Sequence, residues 1–403
     1  MSDDIHSSHL ALLKLHIAGG AAEPRRQLLD RCGMPRDAVA ADRSVWQQAG
    51  LSAAQMHALQ TADEAACRPG LRWLEQPGHH LVGWHDADYP PLLRRIPSPP
   101  LMLFVAGDPD VLWHPSIAIV GSRTPSAGGR DNAHDFARAL AGSGFAIASG
   151  LAAGVDTEAH HGALAAPDGL TIAVIGTGPD RAYPRANARL QAEVAERGAV
   201  VSEHPPGTGV RREHFPSRNR ILAGLSLGTL VIEATERSGA LITARLATEA
   251  GREVFAVPGS IHNPMARGCH RLIRDGAALV ERADEVIAAT VPVAAELAAA
   301  LRGRLHGPTT DAVWETLPLA LPMRPPVSRR EAWPALVGDK TDPDYQCLWK
   351  ALGHDPTGMD QLVERTQLTA ANLSSMLLVM ELENRVAVEH GRWSRKLGKS
   401  GGW

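Results

Sequence analysis

Between residues 117 and 280 the chain repeats one pattern: a short unbroken apolar run, a Gly-bearing loop, then a helix-length segment. The runs are IAIV at 117–120, FAIA at 145–148, TIAVI at 171–175, AVV at 199–201, TLVI at 229–232, EVFAV at 253–257 and AALV at 277–280. Continuous apolar strands, rather than alternating ones, are buried on both faces, which is the condition of a parallel sheet covered by helices. Between the first two runs Ala133, Phe136, Ala137 and Leu140 recur at i, i+3, i+4 and i+7, the spacing of one helix face. The pattern predicts an α/β fold: a doubly wound, Rossmann-like core with a mainly parallel sheet, over residues 81–288.

The flanks read differently. Residues 1–80 form a small helical module. Leu10, Leu12, Leu13 and Ile17 make one apolar stripe, Pro24 opens a second helix with Leu28 and Leu29, and Ser52 caps a third through Met56 and Leu59. Residues 81–116 read as a Pro- and Gly-rich connector ending in the strand LMLFVAG at 101–107. Residues 289–343 carry a cluster of prolines beside an Ala-rich helix near 294–302, and read as a linker with some order. Residues 344–398 suggest three helices, the third capped by Thr369 and carrying Leu373, Met376, Leu377 and Met380. VAV at 386–388 and a turn at Gly391 then make a β-wing. That is a winged-helix domain.

Composition narrows the function. The chain carries 41 Lys and Arg against 44 Asp and Glu, a formal net charge of −3, so any nucleic-acid site is a local patch and not a basic coat. Cys32, Cys67, Cys269 and Cys347 stand far apart without a CxxC pair, which argues against a zinc knuckle or a disulfide framework. The opening MSDDIHSSH is polar, unlike a signal peptide, and no run approaches the ~18 apolar residues of a membrane span. A cytoplasmic location is the expectation, with no metal and no organic cofactor.

In open α/β sheets ligands bind beyond the carboxyl ends of the strands. Here those ends lead into Gly121-Ser122-Arg123-Thr124, Ser149-Gly150 through Asp156, Gly176-Thr177-Gly178 with Tyr183-Pro184, Ser202-Glu203, Glu233 through Gly239, and Pro258-Gly259-Ser260. Small, hydroxyl-bearing loops let backbone N–H groups approach an anion, and the helix N-termini that follow add partial positive charge. So many on one edge predict a phosphate-binding surface. Arg123, directly after Gly121-Ser122, is its sharpest residue.

A second concentration is Arg211-Arg212-Glu213-His214-Phe215-Pro216-Ser217-Arg218-Asn219-Arg220, with four arginines against one acid. Guanidinium forks suit phosphate oxygens. Phe215 offers a stacking face and Asn219 a hydrogen bond to a base edge, the combination that unpaired nucleic acid needs.

Several enzyme motifs fail on context. Gly224-Leu225-Ser226-Leu227-Gly228 matches G-x-S-x-G, but it lies between a helix and a following strand, the reverse of a nucleophile elbow. Gly398-Lys399-Ser400 lacks the first P-loop glycine, whose place is Trp393. No G-x-G-x-x-G follows the first strand. Of the pair His160-His161, one is read as a packing residue and not as a ligand.

Taken in order, the strings IAIVGSR (117–123), SGLAAGVDTEAHHGAL (149–164), TIAVIGTGPDRAYP (171–184), SEHPPG (202–207), FPSRNRILAGLS (215–226), VIEATERSGALITARLATEAGREVFAVPG (231–259) and GCHRLIRDGAALV (268–280) resemble the DprA/Smf family of bacterial DNA-processing proteins. The resemblance implies a non-catalytic single-stranded DNA-binding protein. Such a protein shields incoming strands and helps load a RecA-type recombinase in natural transformation and homologous recombination, as a homodimer through the core. It implies phosphate or base contacts from Gly121, Ser122 and Arg123, from Phe215, Arg218, Asn219 and Arg220, and from Ser238, Gly239 and Thr243. Arg211 and Arg212 extend that set from the basic run. It places dimer and recombinase contacts near 262–280, and makes the N-terminal helices SAM-like.

Two other readings compete. The core also resembles lysine-decarboxylase-like phosphoribohydrolases, nucleotide-processing enzymes whose PGGxGTxxE signature overlays ERSGALIT. Here no PGG precedes that segment and Thr243 stands in the acid's place, although Glu233 and Glu236 are nearby. A duplex-reading winged helix is the third, weakened because 369–384 carries no Arg or Lys.

Overall fold

The computed structural model describes residues 3–306, 343–353, 355–383, 385–389 and 392–396. Each apolar run becomes a strand: β3 (Ser116–Val120), β4 (Ala146–Ser149), β5 (Thr171–Ile175), β6 (Ala199–Ser202), β7 (Gly228–Val231), β8 (Glu253–Ala256) and β9 (Ala278–Leu279). These seven pair in parallel, and β3 to β7 are buried at every position, as continuous apolar sequence requires.

The connector does more than the sequence suggests. It supplies β1 (His79–Gly83) and β2 (Met102–Gly107), which extend the sheet beyond β6, β2 antiparallel to β6 and β1 antiparallel to β2. The order is β1-β2-β6-β5-β4-β3-β7-β8-β9. From β3 the chain first winds one way, through β4 to β6, and then the other, through β7 to β9. The switch point of the sheet is therefore between β3 and β7, where the two loops leaving the strands part.

The N-terminal helices are α1 (Asp3–Ile17), α2 (Ala22–Cys32), α3 (Pro35–Ala40), α4 (Arg43–Gln48), α5 (Ala53–Thr61) and α6 (Glu64–Leu74). Ser52 caps α5 in a reciprocal capping box with Gln55, as its sequence indicates. This layer shares a core with the sheet: Leu12, Leu15 and Leu28 pack in one cluster with Met102, Phe104 and Val200. The intervening Leu103 and Val105 belong to a second cluster, the period-2 alternation of a strand with two covered faces. Arg25 fastens the turn after α1, donating to the carbonyls of Leu15 (3.0 Å), His16 (3.2 Å) and Gly20 (2.9 Å).

The remaining core helices are α7 (Pro91–Arg94), α8 (Ala127–Gly142), α9 (Val155–Ala165), α10 (Ala188–Arg197), α11 (His214–Leu225), α12 (Gly239–Glu249), α13 (Arg267–Arg274) and α14 (Ala283–His306). Helix α14 corrects the linker expected from 289. Val286, Ala294 and Leu297 are buried in the cluster that holds Ile117 and Phe255, so the apolar spacing continues one helix past residue 289. Residues 307–342 of that stretch lie outside the described residues.

The C-terminal unit contains α15 (Pro343–Ala351), α16 (Met359–Thr366) and α17 (Ala370–Leu382), with β10 (Thr357–Gly358), β11 (Val386–Glu389) and β12 (Arg392–Arg395) in the order β10-β12-β11. Thr369 caps α17 by accepting from Asn372 N (3.3 Å). Leu348, Leu362, Leu373, Leu377 and Met380 form its core. This is the three-helix-and-wing arrangement; Gly391, the expected turn, lies outside the described residues.

Candidate nucleic-acid interface

A cleft of about 910 Å³ opens at the switch point, over the carboxyl ends of β3 and β7. Gly121, Ser122 and Arg123 line it from β3. Arg212, Phe215, Arg218 and Asn219 line it from the start of α11 and the loop before, and Ser238, Gly239 and Thr243 from the start of α12. Ten of the twelve residues singled out in sequence thus meet in one cleft. Arg211 and Arg220 are absent from its lining.

The loops are held by one another. Ser122 O accepts from Val155 N (3.1 Å), and the Ser122 hydroxyl accepts from Thr124 N (3.1 Å). Gly154 is at φ +85°, and a Cβ there would lie 2.4 Å from Ser122 O, so only glycine lets the β4 loop pass under the β3 loop. In the same loop Leu151 adopts φ 57°, a conformation that costs a non-glycine residue free energy. Asn187 holds it by donating to Leu151 O (3.0 Å). At the other wall Ser238 caps α12, accepting from Ala240 N (3.3 Å), which turns the helix's positive end toward the cleft.

The arginines divide by what they touch. Arg123 is exposed, forms no ion pair with a described residue, and places Cζ 5.8 Å from the centroid of Phe215. Arg212 is exposed at the rim. Arg218 is only 7% exposed. Its guanidinium donates to Val174 O and faces Asp156, leaving Nε buried without a partner. The phosphate contact read for Arg218 thus meets a side chain already committed inside the protein. Arg220 turns away, pairing with Glu203 and donating to Ser98 O (2.6 Å). Positions 218 and 220 are two apart on a helix, so they cannot face the same way.

Asp156 is the carboxylate among the lining residues. It accepts from Gly150 N (3.1 Å) and Ala152 N (3.3 Å). Burial pushes its carboxyl above the usual range; Arg218 and the two backbone N–H groups pull it back. Nearby, His214 anchors α11 through Nδ1 to Gly176 O (3.0 Å) and stacks on His204 at 3.7 Å. Burial first, then His214, holds His204 down to about 4.

Of the His160-His161 pair, His160 is the packing residue, fully buried. The Thr171 hydroxyl donates to Ile147 O (2.7 Å), so His160 Nδ1 must be the donor in its 2.7 Å contact with Thr171 Oγ1. Among the described residues no cluster of three or more His, Cys, Asp or Glu side chains has the geometry to hold a metal. Burial pushes the Cys269 thiol up to about 12.

Outside the twelve candidates, the lining includes three large exposed apolar side chains, Tyr183, Val210 and Ile242. Tyr183 carried a signal, its place directly after the third strand's glycine loop. Val210 and Ile242 carried none, since a single exposed aliphatic residue is ordinary in sequence.

Sheet, switch point and cleft together define a Rossmann-like protein with glycine loops and helix N-termini gathered at one edge. The family described as DNA recombination-mediator protein A matches residues 80–290, and the DprA winged helix domain matches residues 334–392. Protein Smf of Escherichia coli (strain K12) is 44% identical over 247 residues, 61% of this chain and 66% of that protein. Protein Smf of Synechocystis sp. is 37% identical over 321 residues, 77% of this chain and 79% of that protein. The X-ray structure of DNA processing protein A from Streptococcus pneumoniae superposes with a TM-score of 0.62 at 37% identity, covering 70% of this chain and 97% of that one. The chain belongs to the DprA/Smf family, DNA recombination mediators with a Rossmann-like core and, here, a winged helix at the C-terminal end.

Proposed function

We propose that this protein binds single-stranded DNA in the switch-point cleft without catalysis, shields it, and passes it to a RecA-type recombinase in natural transformation or homologous recombination. The observation that carries the reading is the pairing of two unpaired cations, Arg123 and Arg212, with the N-terminus of α12 in one cleft. The sugar–phosphate chain supplies the charge these groups lack, independent of sequence.

The same cleft offers little to a phosphoribohydrolase. Glu233 is buried and accepts from Asn263 (3.0 Å), and it does not line the cleft. Glu236 lines a neighbouring groove, and Asp156 is tied to its own loop and to Arg218.

The homodimer and the recombinase are assigned to the far edge of the core. A groove of about 690 Å³ between α12, β8 and α13 is lined by Leu241, Val254 and Leu272 among Arg237, Arg245 and Arg271. Beside it β9 ends the sheet with Leu279 49% exposed, an open strand edge of the kind that a second chain covers. Among the described residues no helix is long and apolar enough to cross a membrane; the location proposed for this work on DNA is the cytoplasm.

A gel-shift comparison tests the reading. The protein should retain a single-stranded oligonucleotide at physiological salt far better than the duplex, and Arg123→Ala with Arg212→Ala should release it. Equal retention by parent and double variant overturns the assignment.

A further inference from the structure

The cleft lining is chemically mixed. Gly121, Ser122, Arg123, Arg212, Ser238 and Thr243 give it donors and charge, while Tyr183, Val210 and Ile242 line it as large apolar side chains standing 41%, 50% and 39% exposed. Large apolar side chains left open at one place mark a contact surface, and a bare phosphate chain has no use for them.

Phe215 is the obvious stacking ring, yet its flanks are occupied. Tyr183 lies 5.4 Å away, centroid to centroid, with the planes at 46°. Arg123 takes up another flank, Cζ 5.8 Å from the centroid. A base inserted between two rings needs about 7 Å, two contact distances of ~3.5 Å, so none fits between Tyr183 and Phe215. Phe215 is half-buried, and Tyr183 is the ring still open to solvent. Its loop is braced, because the Thr177 hydroxyl donates to Arg181 O (2.6 Å). A braced ring loses little entropy when a ligand covers it.

We propose that Tyr183 is the base-receiving residue of the cleft: one unpaired nucleobase stacks on its open face, with Phe215 as the backing ring, while the adjoining phosphates reach Arg123, Arg212 and the start of α12. The assignment rests on the single-strand reading above. It adds a contact that does not depend on charge and that requires a base, not merely a phosphate.

The test is a cycle between protein and oligonucleotide. Two thymidine oligonucleotides of equal length are used, one intact and one carrying tetrahydrofuran abasic sites, with the parent, Tyr183→Phe and Tyr183→Ala. The intact strand should bind the parent at least roughly 5-fold more tightly than the abasic strand, the lower end of what one stacked base contributes. Tyr183→Phe should keep that preference and Tyr183→Ala should lose most of it, with an unchanged salt dependence. Full preference in Tyr183→Ala, or none in the parent, overturns the assignment while leaving the cleft reading in place. Failure of the parent to bind either strand overturns the cleft reading itself. Should Tyr183→Ala melt early, 2-aminopurine quenching decides: parent and Tyr183→Phe quench the bound base, and absence of quenching in both counts against stacking.

Discussion

Arg218 Nη2 lies 3.9 Å from Asp156 Oδ2 beneath the cleft, and the two side chains are 8% and 10% exposed. The pair joins α11 to the first turn of α9, and the bond from Arg218 to Val174 O brings in β5. Gly150 leaves room for it: a Cβ there would lie 2.0 Å from Arg218 Nη1. A guanidinium cannot escape the cost of burial by losing its proton, so its geometry depends on keeping these partners.

Arg218→Met should therefore lower stability by about 3–5 kcal/mol, the cost of leaving one charge of a buried pair alone. Arg218→Met with Asp156→Asn should cost less than the single change, because the stranded carboxylate is gone. Denaturant unfolding measures both. A fully stable Arg218→Met that merely binds DNA less well would restore the role of phosphate ligand to this arginine.

Arg123 and Arg220 should behave as opposites. Arg123→Ala should weaken single-strand binding across sequences and reduce the slope of log affinity against log salt by about 0.7, one phosphate's worth for single strands. Arg220→Ala removes the partner of Glu203 and should shift the melting temperature while leaving that slope alone. Affinity titrations at several salt concentrations, beside thermal melts, separate the two.

Gly154→Ala and Gly239→Ala form a matched pair. At 154 the added Cβ meets Ser122 O at 2.4 Å and the backbone is at φ +85°, so folding and binding should both suffer. At 239, in the first turn of α12, nothing lies within 4 Å, and the parent's melting temperature should be kept. A Gly154→Ala protein as stable as the parent would show that the two loops do not interlock as described.

Acid should destabilise the protein below pH 6.5. Burial, with Arg25 second, holds His16 at about 4, and burial with a neighbouring histidine holds His204 at about 4 and His160 at about 3. Between 6.5 and about 4 the unfolded chain takes up these protons and the folded chain does not. Their contribution is thus complete above 6.5 and lost as pH falls. Asp86 and Asp156, raised by burial, act in the opposite sense and offset part of the loss. Melting temperatures at pH 7.5, 6 and 5 should fall in order, and His204→Gln should flatten the trend. A melting temperature that does not change with pH would contradict the burial of these rings.

Strands β3 to β9 and their loops were legible because the signals are local. An apolar run of four or five residues followed by glycine has few other uses, and the Ser52 and Thr369 caps sit one turn from the amides they bind. The winged helix was legible for the same reason. Strand β1 was not, since HHLVG between glycines and prolines has no period of its own and becomes a strand only against Met102–Gly107. Nor was the shared core visible, because Leu12 and Phe104 meet only after the chain has folded back on itself.

The sequence alone determined which residues were available to the cleft: hydroxyls, glycines, a phenylalanine and a run of arginines, delivered to one sheet edge by the strand-loop-helix repeat. Tertiary structure decided which of them remain free. Four arginines stand within ten residues, but Arg218 is claimed by Asp156 and Val174, and Arg220 by Glu203 and Ser98, partners from distant strands and loops. Arg123 and Arg212 have no such partner among the described residues and face the cleft. A charge is a property of the residue. Whether it meets solvent or another charge depends on what the fold sets beside it, and nothing local in the chain specifies that.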